Sequence, residues 1–409
     1  MMKTHSILPA AVLATALLLS ACGGGSGSAG TPGAPVAPTV TLAAAATQTL
    51  AGGKALPLSA SVSDSSAVTW TLAAGSAGTL SASSGASVNY TPPATVTANT
   101  NVTVNASAGG VSKSLTLTVF PDPGAPGLSI VSGRLNSDLV DPATDGPVAS
   151  ARFRDSLAVA ADPAGNLYVA GACRFPSRLQ GLTLRKISTA GTVSTLASCE
   201  DNSWFGASDS AGNLQKIYLP RGLAADRAGN LYTGTYFSST SAGSASNDSR
   251  AVYKISPQGT LTLVAGAAGS HTADLKDGNG AAARFLTPTV TGLDSDENLY
   301  VADKDNTVLR KINAAADVTT VSALPASVNA DLNGNTYRLD STAGTIIRTT
   351  PAGADSVIAD VHTLPGALST MTGLRPFNLV RTGPATYALL VSNGYPFSNE
   401  AVVKLVVVH

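Results

Sequence analysis

One ten-residue stretch is written three times with small changes: DPAGNLYVAG at 162–171, DRAGNLYTGT at 226–235 and DSDENLYVAD at 294–303. Each copy reads as a hairpin. In the first, LAVAAD (157–162) is a short strand of small and β-branched residues, and NLYVAG returns as its partner. Between them Pro163 presets φ at the first corner of the turn, and Gly165 supplies the left-handed position.

The repeat extends in both directions. Upstream, Asp145, Asp209 and Asp277 each stand seven residues before a basic residue, namely Arg152, Lys216 and Arg284. These are followed by Phe153, Ile217 and Phe285. Arg152 and Arg284 are expected to pin blade to blade, with anion binding the functional alternative. Downstream, LRKISTAGTVSTLAS (184–198), VYKISPQGTLTLVAG (252–266) and LRKINAAADVTTVSA (309–323) supply a third and a fourth alternating strand. Four antiparallel strands at this period indicate a β-propeller. The motif resembles the NHL repeat, a propeller blade, and Tyr168, Tyr232 and Tyr300 are then expected to pack between blades.

Two weaker copies follow, 328–340 with 345–360 and 377–393 with 401–408. The last lacks its fourth strand, which LSIVSG (128–133) is expected to supply, closing the ring. The expectation is five blades, or six if the irregular stretch 361–376 adds one.

The first 22 residues read as a targeting segment: Lys3, then the apolar run ILPAAVLATALLL (7–19), too short for a comfortable span. Leu19-Ser20-Ala21-Cys22 resembles the bacterial lipobox, which implies lipidation at Cys22. By the proteobacterial sorting rule, Gly23 after the cysteine implies the outer membrane, on its periplasmic or its surface face. Residues 23–38 are a flexible Gly/Ser/Pro linker reaching roughly 20–25 Å. An exported, oxidising location permits a disulfide between Cys173 and Cys199.

Residues 39–120 hold about seven short alternating segments, such as SKSLTLTVF, which indicate a β-sandwich. The stretch resembles bacterial Ig-like domains, with Trp70 in the core. Residues 121–127, PDPGAPG, read as a hinge, and 128–409 as the propeller. The expected fold is therefore all-β: an N-terminal Ig-like sandwich followed by a five- or six-bladed NHL-type propeller.

Little in the chain points to chemistry. Lys and Arg total 25, Asp and Glu total 25, and only 12% of residues are charged, so the basic footprint of a nucleic-acid binder is missing. The histidines are scattered, and no metalloprotease, phosphate-loop or nucleophile-elbow motif is present. Glu200, Glu297 and Glu400 read as loop or turn residues, and Asp277 with Asn279 does not complete a calcium loop. No cofactor is expected. The irregular insertions carry aromatics in polar surroundings: Trp204 and Phe205 in 199–212, Tyr236 and Phe237 in 236–249. These four are the candidate ligand-binding residues, since rigid scaffolds carry recognition on such loops. The reading is a membrane-anchored, non-catalytic scaffold that binds a protein or an envelope or extracellular polymer. Two alternatives stand beside it: a propeller hydrolase or lyase with a metal on the central axis, and a structural envelope spacer.

Overall fold

The computed structural model describes residues 37–407, apart from 45, 136–142, 154, 176–177, 198–205, 209–213, 217–219, 237–249, 268–273, 295, 304–306, 324–330, 332, 365–374 and 393–399. For residues 172–182, 206–208, 214–216, 236 and 375–377 it describes the backbone alone. Residues from Pro38 onward form one compact unit. No helix among the described residues is long and apolar enough to cross a membrane.

Residues 40–120 build two four-stranded sheets. One runs Val40–Ala44, Leu56–Val62, Ser87–Thr91, Thr79–Leu80; the other runs Gln48–Leu50, Val111–Phe120, Thr100–Ala108, Thr69–Leu72. Period-two alternation decides which face is buried. Val102, Val104, Ala106 and Ala108 point inward to meet Leu58, Val88, Tyr90 and Leu117. Trp70 is 2% exposed in this core. Its indole N–H donates to the Gly85 carbonyl at 2.8 Å, which satisfies its one polar atom.

Beyond it, the described residues form five antiparallel meanders. Listed from inner to outer strand, blade one is Ser156–Ala161, Leu167–Phe175, Arg178–Ile187 and Thr192–Ala197. Blade two is Pro220–Ala225, Leu231–Tyr236, Arg250–Ile255 and Leu261–Ala267. Blade three is Thr289–Leu293, Leu299–Asp303, Val308–Ile312 and Asp317–Val321. Blade four shows Thr336–Asp340, Thr345–Thr349 and Asp355–Asp360. Of its expected inner strand, 328–331, only Asp331 is described. Blade five is Arg375–Gly383, Thr386–Ser392, Glu400–Val406 and Gly127–Gly133. The LSIVSG strand pairs with the C-terminal strand, Leu128 opposite Leu405.

The inner strand of blade one lies beside those of blades two and five, and that of blade two beside that of blade three. The result is a β-propeller-like ring. The inner strands of blades two and three touch at Gly222, which pairs with Val290. Gly222 has φ +68°, and a Cβ there would sit 1.9 Å from the Val290 carbonyl oxygen, so both the backbone and the space demand glycine.

Apolar clusters fill the seams. Tyr168, Leu184, Leu223 and Tyr253 join blades one and two; Val252, Phe285, Val290 and Val301 join two and three; Phe153, Val159, Leu390 and Val402 join five and one. Phe153 and Phe285 are the wedges, 2% and 1% exposed.

The basic residues seven positions after Asp145 and Asp277 turn back onto their own loops. Arg152 Nη1 donates to the Ser150 and Ala151 carbonyls, and Arg284 Nη1 to those of Ala281 and Ala283, within their own loops. The seven-residue spacing is that of a loop closed on itself, with Thr144 bridged to Arg152 and Lys276 to Arg284. The acids are met by the arginines of LRKI: Arg185 reaches Asp145 at 2.6 Å, and Arg310 reaches Asp277 at 2.7 Å. Each guanidinium also lies over the wedge, Arg185 4.7 Å from the Phe153 ring centre and Arg310 5.1 Å from that of Phe285. Of the second copy, Asp209 and the Lys216 side chain lie outside the described residues.

Candidate functional site

The repeated hairpin owes its sequence to one hydrogen-bonded clasp. Asp162 accepts from the Asn166 backbone and side chain at 2.9 and 2.8 Å and from the Tyr168 hydroxyl at 3.0 Å. Asp226, Asn230 and Tyr232 repeat it, as do Asp294, Asn298 and Tyr300, and Asp331, Asn335 and Tyr337. The tyrosines pack against blades, and they also anchor the turn aspartate, a role that strand alternation does not encode. Its signal was present in the sequence as Asp-x3-Asn-x-Tyr.

The clasps are electrostatically consistent. Burial, and then the neighbouring aspartate, hold the hydroxyls of Tyr168, Tyr232 and Tyr300 above the ordinary tyrosine pKa. Burial pulls the Asp294 carboxyl up, but hydrogen bonds from Asn298 and Tyr300 outweigh it and bring the carboxyl below its usual value. Replacing Asp226 with Ala strands a half-buried hydroxyl and an amide. A loss of about 2–3 kcal/mol is expected in urea unfolding, against less than about 1.5 kcal/mol for Tyr232→Phe.

In an antiparallel meander, alternate connections leave from opposite ends of the strands. The clasped turns therefore share one end of the ring with the turns between third and fourth strands. Those too are short and closed by their own backbone, as in Gly191 N–H to Ser188 O at 2.9 Å and Gly259 N–H to Ser256 O at 2.8 Å. The sandwich sits on this turn face, where the Asn99 amide donates to the Pro163 carbonyl. The other connections, including 198–219, 237–249, 268–288 and 361–374, leave from the opposite end, the loop face.

Between the sandwich and the turn face lies a cavity of about 560 Å³. Thr116 and Thr118 line it from the sandwich; Asp162, Asp226, Asp294 and Arg381 line it from the ring. The three aspartates are engaged in their clasps, so their carboxylates serve the fold first.

Glu400 departs from its expected place in a loop. It opens the strand Glu400–Val406 and is 4% exposed. Its carboxylate accepts the Ser156 N–H at 2.9 Å across the seam between blades five and one. Burial raises its pKa to about 7, although the Ser156 hydrogen bond works the other way. Glu297 does sit in a turn, at φ +61°, where it accepts the Arg227 N–H at 3.0 Å. Asp277 is held by Arg310 and Thr320, and the Asn279 amide donates to Ala315 O and Asp317 Oδ1; both are structural. Among the described residues no group of three or more His, Cys, Asp or Glu side chains is placed to hold a metal.

Of the sequence candidates, Cys22, Cys199, Trp204, Phe205 and Phe237 lie outside the described residues. Cys173 and Tyr236 are described as strand backbone only. Tyr236 closes the second strand of blade two at its loop-face end.

No family model matches the chain, and no curated protein does. Solved structures similar to it include a protein of unknown function from Bacteroides thetaiotaomicron, 17% identical, TM-score 0.29, covering 91% of this chain and 99% of that one. An auxiliary nutrient binding protein from Bacteroides ovatus is 13% identical, TM-score 0.24, covering 88% and 96%. A gluconolactonase from Xanthomonas campestris is 14% identical, TM-score 0.30, covering 69% and 98%.

Proposed function

We propose that this protein is a lipid-anchored, non-catalytic recognition scaffold of the outer membrane. An Ig-like sandwich follows the anchor and linker in the chain, and an NHL-type propeller presents its loops to a protein or polymer partner. The observation that carries this reading is the division of the ring's two faces. The turn face is closed by short clasped turns and covered by the sandwich, whereas the long connections 198–219, 237–249, 268–288 and 361–374 leave from the loop face. Rigid scaffolds with irregular loops gathered on one face bind through those loops. Trp204, Phe205, Tyr236 and Phe237 belong to connections or strand ends of that face, and a Cys173–Cys199 disulfide would tie the second strand of blade one to the connection that follows its fourth strand.

Two variants test the reading. Cys22→Ala is expected to move the protein from the membrane fraction to the soluble one; continued membrane retention would overturn the anchor. Trp204→Ala with Phe205→Ala is expected to weaken capture of isolated envelope and extracellular polymer by about ten-fold or more, with an unchanged melting temperature. Equal capture by the double variant would remove the loop assignment.

A further inference from the structure

We infer that the sandwich is a fixed stopper on the turn face, keyed to blade five by Arg381, and not a spacer that swings on residues 121–127. In blades one to four the residue six places before the clasp tyrosine is an aspartate: Asp162, Asp226, Asp294 and Asp331. In blade five, the residue six places before Tyr387 is Arg381, and Ala385 stands where the clasp needs asparagine. Blade five therefore cannot form the clasp. Its arginine reaches out of the ring instead, and Nη2 donates to Gln48 Oε1 of the sandwich at 2.8 Å.

Gln48 is not an isolated contact. Two residues on, Leu50 is 3% exposed, and it packs with Tyr387, Leu389 and Leu405 of blade five; it is not part of the sandwich's own core. Phe120, opposite Leu50 in the parallel pair, packs against the same group. One apolar core thus runs from sandwich into ring, and a swinging sandwich would have to expose it. Two polar ties lie away from Arg381. Lys404 Nζ donates to the Pro123 carbonyl at 3.0 Å, and Asn99 donates to the Pro163 carbonyl of blade one. The expected hinge is therefore strapped: Pro123 is held by Lys404, and Gly127 already pairs with Val406 as ring strand.

The fold deviates from its own repeat at the blade where the chain enters and leaves the ring. That blade trades a clasp within itself for a contact with its neighbour. With the turn face covered, a macromolecule reaches the ring from the loop face. This inference holds whether or not the loops bind a partner.

Limited proteolysis and calorimetry of the full chain in detergent test it. Wild-type protein is expected to resist proteinase K at 121–127 and to unfold sandwich and ring in one transition. Gln48→Ala with Leu50→Ser alters the contact from the sandwich side and leaves every ring residue in place; Arg381→Leu alters it from the ring side. In either variant, cleavage within 121–127 is expected to quicken by about ten-fold or more and the transition to split. Wild-type cleavage at 121–127 as fast as in the variants, or two separate transitions in wild type, would overturn the inference.

Discussion

Replacing Arg310 with Met is expected to lower the unfolding free energy by about 3–5 kcal/mol, the largest single loss foreseen for this chain. The guanidinium is 1% exposed and sits at the junction of several elements. Nη2 donates to Asp277 at 2.7 Å and to the Lys276 carbonyl at 2.9 Å; Nη1 donates to the Arg284 carbonyl at 3.1 Å. Asp303, fully buried, lies 3.6 Å from Nη1. Methionine would fill part of the space over Phe285, so most of the loss comes from removing the positive charge that lies 3.6 Å from the buried Asp303 carboxylate. The Leu286 and Thr287 N–H groups still donate to that carboxylate, but neutral donors do not replace a cation. Adding Asp303→Asn keeps an acceptor for those amides and removes the charge. The double variant is therefore expected to regain about half of the loss or more. Urea unfolding of both variants checks this. A loss below about 1 kcal/mol for Arg310→Met would mean that the packed arginine contributes little beyond its volume.

The second large effect is on pH dependence. Glu400 has a folded-state pKa raised from 4.5 to about 7, chiefly by burial. A carboxyl raised in the folded state binds its proton more tightly there than in the unfolded chain. Its contribution is fully present below the unfolded value and is lost as pH rises through about 7. The seam between blades five and one is then expected to weaken between pH 4.5 and about 7, by a total of about 3 kcal/mol. Glu400→Gln keeps an acceptor for the Ser156 N–H and has nothing to titrate. It should match wild type near pH 4 and exceed its stability by about 3 kcal/mol at pH 8. Chemical unfolding at the two pH values measures the difference. An equal stability gap at both would show that ionisation at the seam is not the cause.

Much of the architecture was legible in the repeat. Alternation in SKSLTLTVF and LRKI reports which face of a strand is buried, and DPAGN and DRAGN report a turn, because both properties reside in residues close along the chain. The LSIVSG segment could be assigned to the last blade by counting strands. The functional candidates were less accessible: Trp204, Phe205 and Phe237 stand in connections that break the repeat, so nothing periodic constrains them.

What the sequence by itself determined is the repeated blade and, in four of the five, its Asp-x3-Asn-x-Tyr turn, since a clasp spans seven residues and carries its partners within one hairpin. Tertiary structure alone decided which arginine meets which acid. Asp277 stands closest in sequence to Arg284 but pairs with Arg310, 33 residues on, because the third strand returns beneath the loop. It also decided that Glu400 is buried and that Arg381 meets Gln48, 333 positions away. Closing the ring and docking the sandwich on it bring such residues together, and a local pattern carries no record of contacts made at that distance.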